Sequence, residues 1–68
     1  MFKNTVAGDD LAENPSAKPG PETKVVGYLY LVSKPVELEE LADQVKLADE
    51  KLLLLLRRMI NEQLIEEV

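Results

Sequence analysis

The sequence predicts a mainly α domain with three helices, a minimal β element and a disordered N-terminal tail. Between residues 24 and 63, apolar side chains recur at helical spacing in three segments, separated by short breaks at Pro35 and at residues 46–48. Residues 1–22, in contrast, contain three of the four prolines and show no apolar period. Because 68 residues suffice for one small domain only, we place that domain at residues 23–68.

The N-terminal tail, residues 1–22, is predicted to be flexible and acidic. It combines prolines and glycines with short runs of small or acidic side chains, and its acids outnumber its lysines. An alternative is that the tail docks as a short arm, either on the domain or on a partner. The side chains that would make this contact are Phe2, Val6 and Leu11.

The first two predicted helices lie on either side of Pro35. Thr23 can cap a first helix over residues 24–32, although Gly27 and the β-branched content of this segment also suit a strand. Pro35 ends any helix that precedes it, and acidic residues then open a second helix, where the helix dipole favours them. The second helix has apolar residues at i, i+3, i+4 and i+7, namely Leu38, Leu41, Ala42 and Val45.

The third predicted helix, residues 48–62, contains five consecutive leucines. Five residues at about 100° each surround a helix completely, so some of the leucines from Leu52 to Leu56 must face away from the core. After Gln63, the sequence LIEEV is predicted to begin a strand. We expect this strand to pair with the segment that contains Val36.

This order of elements resembles the winged helix-turn-helix superfamily over residues 24–68, about two thirds of the chain. The matching parts are Pro35-Val36, the LEELA helix at residues 38–42, the turn at residues 45–47, the third helix and Leu64-Ile65. The resemblance implies a three-helix core, and this fold serves both DNA reading and protein contact. The expected core residues are Leu29, Val32, Leu38, Leu41, Ala42, Val45, Leu47, Leu52, Leu56, Met59 and Leu64.

Two features depart from the superfamily pattern. The turn has Lys46 in place of glycine, and a non-glycine residue with positive φ costs about 1 kcal/mol. The sequence also ends at Val68, where the superfamily turns into a second strand that completes the wing. Because no glycine or proline occurs after Pro35, a coiled-coil adaptor with one long helix is an alternative. Its heptad positions would be Leu38, Val45, Leu52 and Met59.

The third helix is also unusual for a helix that reads DNA. Such a helix presents polar and basic side chains to the major groove, whereas the outward positions here are Asp49, Glu50, Leu53 and Leu54. The acids would repel phosphates, and the leucines donate no hydrogen bond. The candidate phosphate contacts are Lys51, Arg57 and Arg58. On this basis, a small DNA-binding transcriptional regulator is the second hypothesis for function.

The first hypothesis is a protein–protein interaction module that acts through the third helix. Leu53, Leu54 and Ile60 form an apolar surface beyond what the core requires, and such a surface on a small domain usually marks an interface. The partner would be a second copy, which gives a homodimer, or a larger protein. The alternative is that the first helix, Tyr28 or Tyr30, or the N-terminal arm covers these leucines.

Composition excludes several other classes of function. The chain has no cysteine and no histidine, so we expect neither an enzyme nor a bound metal, cofactor or small-molecule substrate. Eight Lys plus Arg against 13 Asp plus Glu give a net charge of −5, which disfavours nucleic acid as a partner. The longest apolar run is too short to cross a membrane, and there is no signal-peptide pattern, so a cytoplasmic location is expected.

Overall fold

The computed structural model describes residues 1–17 and 20–68. Within these residues, four α-helices surround one core, and two short strands form an antiparallel sheet. In chain order the elements are β1 (Phe2–Asn4), α1 (Val6–Glu13), a 3-10 turn (Pro15–Ala17), α2 (Pro21–Val32), α3 (Leu38–Val45), α4 (Asp49–Asn61) and β2 (Ile65–Glu67). The predicted mainly helical class with a minimal β element is therefore confirmed.

The three predicted helices correspond to α2, α3 and α4. Helix α2 begins at Pro21, before the predicted cap at Thr23, because proline at the first helical position loses no hydrogen bond and has a helical φ. It ends at Val32, and the cap residue Ser33 adopts the left-handed conformation and donates its N–H to Leu29 O. Helix α3 spans the residues that the apolar spacing indicated.

A sharp turn separates α3 from α4. Lys46 adopts a left-handed conformation with φ 58°, and its N–H donates to Ala42 O at 2.9 Å. Helix α4 then begins at Asp49, after Ala48 in extended conformation. The alternative of one long helix through Lys46 is therefore wrong, because the backbone direction changes at this residue.

The N-terminal segment is not a flexible tail in the structure. Strand β1 and helix α1 pack on the other helices, and both Phe2 and Leu11 are buried in the core. Val6, in contrast, is 79% exposed, so only two of the three side chains proposed for a docking arm make that contact. Of the three prolines that suggested disorder, Pro15 begins the 3-10 turn and Pro21 begins α2, whereas Pro19 lies outside the described residues.

Strand β1 also corrects the predicted strand pairing. It lies between β2 and Val36, with Asn4 opposite Ile65 on one side. On the other side, Phe2 N–H donates to Val36 O at 2.8 Å, and Val36 N–H donates to Phe2 O at 2.9 Å. The expected direct pairing of β2 with the Val36 segment is thus wrong, because the N-terminal strand occupies the position between them.

The core combines residues from all four helices and both strands. Of the predicted core residues, Leu29, Leu41, Val45, Leu52, Leu56 and Met59 are buried, and the remaining ones are partly buried against them. Phe2 and Leu11, which the sequence suggested only as part of an alternative docking arm, and Ile65, which it did not assign to the core, are also buried there. These three side chains are supplied by the N-terminal segment and by β2.

Helix α1 starts against the end of α4. Thr5 accepts a hydrogen bond from Gly8 N–H as N-cap, donates its own N–H to Leu64 O at 3.1 Å and donates its hydroxyl to Gln63 O. This close approach requires glycine at position 8, because a Cβ there would lie 2.0 Å from Leu64 O. The contact is between two backbones, so no side-chain rotation can relieve it.

We expect Phe2→Ala to lower the free energy of unfolding by about 3–5 kcal/mol, because it removes a buried aromatic ring. Val6→Ala is the matched control in the same segment and should change stability by less than about 0.5 kcal/mol, since Val6 is exposed. Urea unfolding followed by circular dichroism measures both values. Equal effects of the two substitutions would show that the N-terminal segment is not part of the core.

A second pair of variants tests the contact of α1 with α4. Gly8→Ala should destabilise the fold by roughly 1–3 kcal/mol, because the new methyl group cannot fit against Leu64 O. Gly27→Ala should instead stabilise it by about 0.5–1 kcal/mol, since a Cβ at this helical position meets nothing within 4 Å. If both variants are stabilised, α1 does not approach Leu64 as described.

Candidate protein interface

The sides of α4 differ in what they contact. Leu52, Leu56 and Met59 are fully buried against the core. At about 100° per residue, the opposite side of the helix carries Glu50, Leu54, Arg57 and Asn61, all of which are exposed. Helix α4 therefore presents an outward stripe on which a leucine lies between an acid and an arginine.

The five consecutive leucines have different environments. Leu52 and Leu56 are buried, and Leu55 is half-buried at the edge of the core. Leu53 and Leu54, however, are 41% and 67% exposed. The alternative in which α2, a tyrosine or the N-terminal arm covers both leucines is therefore wrong.

Ile60 belongs to the Leu53 side of α4. It lies two turns after Leu53 on the same side of the helix, and it is half-buried against the core. Together with Val6 and Ala7 of α1 it lines a groove next to β2. The three predicted interface residues therefore do not form one compact patch, because Ile60 extends the Leu53 side towards α1.

Leu54 lines a different groove, on the other side of the outward stripe. This groove of about 390 Å³ lies between α4, the start of α2 and the turn that follows α3. Its lining combines apolar side chains with two cations, namely Pro21, Leu47, Lys51, Leu54, Leu55 and Arg58. Pro21 could not be assigned to this surface from the sequence, because nothing in the local pattern indicates that the start of α2 lies near α4.

The three predicted phosphate contacts also separate in the structure. Arg58 forms an ion pair with Glu22 of α2, at 3.2 Å between Nη2 and Oε1, and Glu22 is buried. Lys51 lies on the same side of α4 as Arg58, whereas Arg57 lies about 100° away on the outward stripe. Of these three cations, Lys51 and Arg57 are exposed and form no ion pair with another described residue.

Tyr28 and Tyr30 contact carboxylates away from α4. The Tyr28 hydroxyl donates to Glu40 of α3, and the Tyr30 hydroxyl donates to Glu13 of α1 at 3.0 Å. The hydrogen bond to Glu40, with desolvation and the charge of Glu40, raises the pKa of Tyr28 above its ordinary value. The hydrogen bond to Glu13 and the charge of that carboxylate raise the pKa of Tyr30. These tyrosines connect α2 to its two neighbouring helices.

The raised tyrosine pKa values predict a loss of stability at alkaline pH. A hydroxyl whose pKa is higher in the folded state stabilises the fold fully below its ordinary pKa of 10.0, and this contribution disappears as pH rises through the raised pKa. We therefore expect the free energy of unfolding to fall over the range above the ordinary tyrosine pKa of 10.0. A variant with Tyr28→Phe and Tyr30→Phe should lose less over this range in urea titrations. Parallel losses in both proteins would contradict the prediction.

The described residues contain no cluster of three or more His, Cys, Asp or Glu side chains that could hold a metal ion, and the sequence has no histidine or cysteine. Among the helices of the described residues, none has the length and apolar character needed to cross a membrane. Comparison with known protein families, with curated proteins and with solved structures found no significant match to this chain.

Proposed function

We propose that this chain is a non-enzymatic protein–protein interaction module of winged-helix type, which binds its partner through the exposed leucines of α4. The observation that carries the proposal is the exposure of Leu53 and Leu54 on an otherwise well-packed helix. They lie at positions where a DNA-reading helix would carry polar side chains. The partner is a second copy of the chain or a larger protein.

The arrangement of the elements supports the winged-helix part of the proposal. Helices α2, α3 and α4 follow one another with a tight turn at Lys46, and β2 comes directly after α4. Strand β1 pairs with β2 in antiparallel register, at the position where the superfamily has the second strand of its wing. In this proposal, the N-terminal strand takes the place of that wing strand.

Burial energetics support an interface on α4. A large aliphatic side chain gains about 1.5–3 kcal/mol when it is moved from water to a packed environment. The core does not need Leu53 and Leu54, since it is already filled by Leu52, Leu56 and Met59 from the same helix. Contact with a partner would therefore recover burial energy that the isolated domain does not use.

Electrostatics make DNA a less favourable partner for this helix. Of its three candidate cations, Arg58 is already paired with Glu22, and the first turn of α4 presents Asp49 and Glu50. The net charge of −5 adds repulsion between the whole chain and a polyanion. A DNA-binding regulator stays the second candidate because Lys51 and Arg57 are exposed on α4.

We expect the double substitution Leu53→Lys with Leu54→Glu to abolish binding through α4 while the fold persists. Both side chains are exposed, so the cost to folding should stay within about 1 kcal/mol in total. The measurements are mass in solution by sedimentation, at low and high protein concentration, and recovery of bound proteins from a cell lysate. Leu31→Glu is the matched control, because Leu31 is a 79% exposed leucine on α2.

Three results would overturn the proposal. In the first, the wild type is monomeric at high concentration and recovers the same proteins as the double variant. In the second, the wild type binds duplex DNA with an affinity that falls as salt rises, and Arg57→Ala with Arg58→Ala reduces the salt slope. The second result would establish the regulator instead. Unfolding of the double variant would show that the leucines belong to the core.

A further inference from the structure

The outward stripe of α4, together with Leu53 at its border, has a symmetric order of charges around two leucines. Glu50 lies three residues before Leu53, and Arg57 lies three residues after Leu54. At about 100° per residue, these four side chains fall within about 100° of arc on the side opposite the core. Neither Glu50 nor Arg57 forms an ion pair with another described residue. Along the helix, Glu50 therefore precedes the two leucines and Arg57 follows them, and both charges are available to a partner.

This order is complementary to itself when two copies of the helix run antiparallel. A two-fold axis midway between Leu53 and Leu54 brings positions at equal distance from the axis opposite each other. Leu53 then contacts Leu54 of the partner subunit, and Glu50 faces the partner's Arg57. The same two contacts occur a second time with the subunits exchanged.

Other arrangements of this stripe bring like charges together. A parallel pair of helices would place Glu50 next to the partner's Glu50 and Arg57 next to the partner's Arg57. Juxtaposed like charges suppress an association, whereas exposed opposite charges contribute mainly to orientation and register. In an antiparallel pair the leucines supply the apolar contact, and the flanking charges select the direction.

We infer that the occupant of the α4 surface is a second copy of this chain, bound with its α4 antiparallel and with Glu50 opposite the partner's Arg57. The inference rests on the proposed function and specifies its partner. Charge complementarity along one exposed stripe argues for the second copy. Two-fold symmetry then gives a closed dimer in which each copy uses the same surface.

Two single substitutions and their mixture test the inference. Glu50→Arg alone gives two arginine–arginine contacts in the antiparallel dimer, and Arg57→Glu alone gives two glutamate–glutamate contacts. We expect each variant to self-associate about tenfold more weakly than the wild type at low salt. In an equimolar mixture, both contacts between the two variants are attractive, so a heterodimer should form with an affinity near that of the wild type. Native mass spectrometry and sedimentation measure the species.

A double variant controls for effects of the single substitutions on the helix itself. Glu50→Arg also places a cation in the first turn of α4, where the helix dipole disfavours it. The variant with both Glu50→Arg and Arg57→Glu keeps that change but restores opposite charges across the dimer, so it should self-associate again. Circular dichroism of all variants checks that they are folded.

The outcomes separate this inference from the proposed function. If the wild type dimerises but the mixture forms no heterodimer, the antiparallel arrangement is wrong and the leucine interface stands. If the wild type is monomeric at millimolar concentration, the inference that the partner is a second copy is wrong. The proposed function then depends on whether the wild type recovers proteins from a lysate that the variant with Leu53→Lys and Leu54→Glu does not recover. A dimer that this leucine variant leaves intact would overturn both.

Discussion

The position of strand β1 between Val36 and β2 is the constraint on which the rest of the structure depends. Its hydrogen bonds to Val36 and its register with β2 give both segments the backbone partners that they would otherwise lack. The same strand buries Phe2 and directs α1 to its contact with Leu64. The radius of gyration, 10.4 Å, is close to the roughly 11 Å expected for a compact domain of this length. The N-terminal segment therefore completes the domain.

The contribution of the N-terminal segment to the core explains why α4 has two leucines that the core does not bury. Phe2, Leu11 and Ile65 fill space that a three-helix core without these elements would have to fill from its own helices. Helix α4 then needs only its buried stripe, and Leu53 and Leu54 stay at the surface. Burial of Phe2 and Leu11 is thus connected with the exposure of Leu53 and Leu54. Because the N-terminal segment fills part of the core, these two leucines of α4 are not needed there.

Local patterns in the sequence predicted the parts of the fold that depend on local physics. The spacing of Leu38, Leu41 and Val45 fixed α3, and the absence of glycine at Lys46 did not prevent a left-handed turn there. Strand pairing was not predictable in the same way, since β1 and β2 lie at opposite ends of the sequence and each has only three residues. Helix α1 was missed because its eight residues include a glycine and contain only one large apolar side chain that is buried, Leu11.

The exposure of individual α4 residues could be predicted from the sequence, but the division of these residues between two separate grooves could not. Periodicity alone places Leu53 and Leu54 outside the core, whereas the neighbours of each leucine depend on how α4 packs against distant elements. Leu54 joins a groove with Pro21 because the ion pair of Arg58 with Glu22 connects α4 to the first turn of α2. In the same ion pair, Glu22 neutralises Arg58, which is one of the cations that a DNA-binding helix would use. The tertiary contact that shapes the leucine surface is therefore the same one that reduces the positive charge available to nucleic acid.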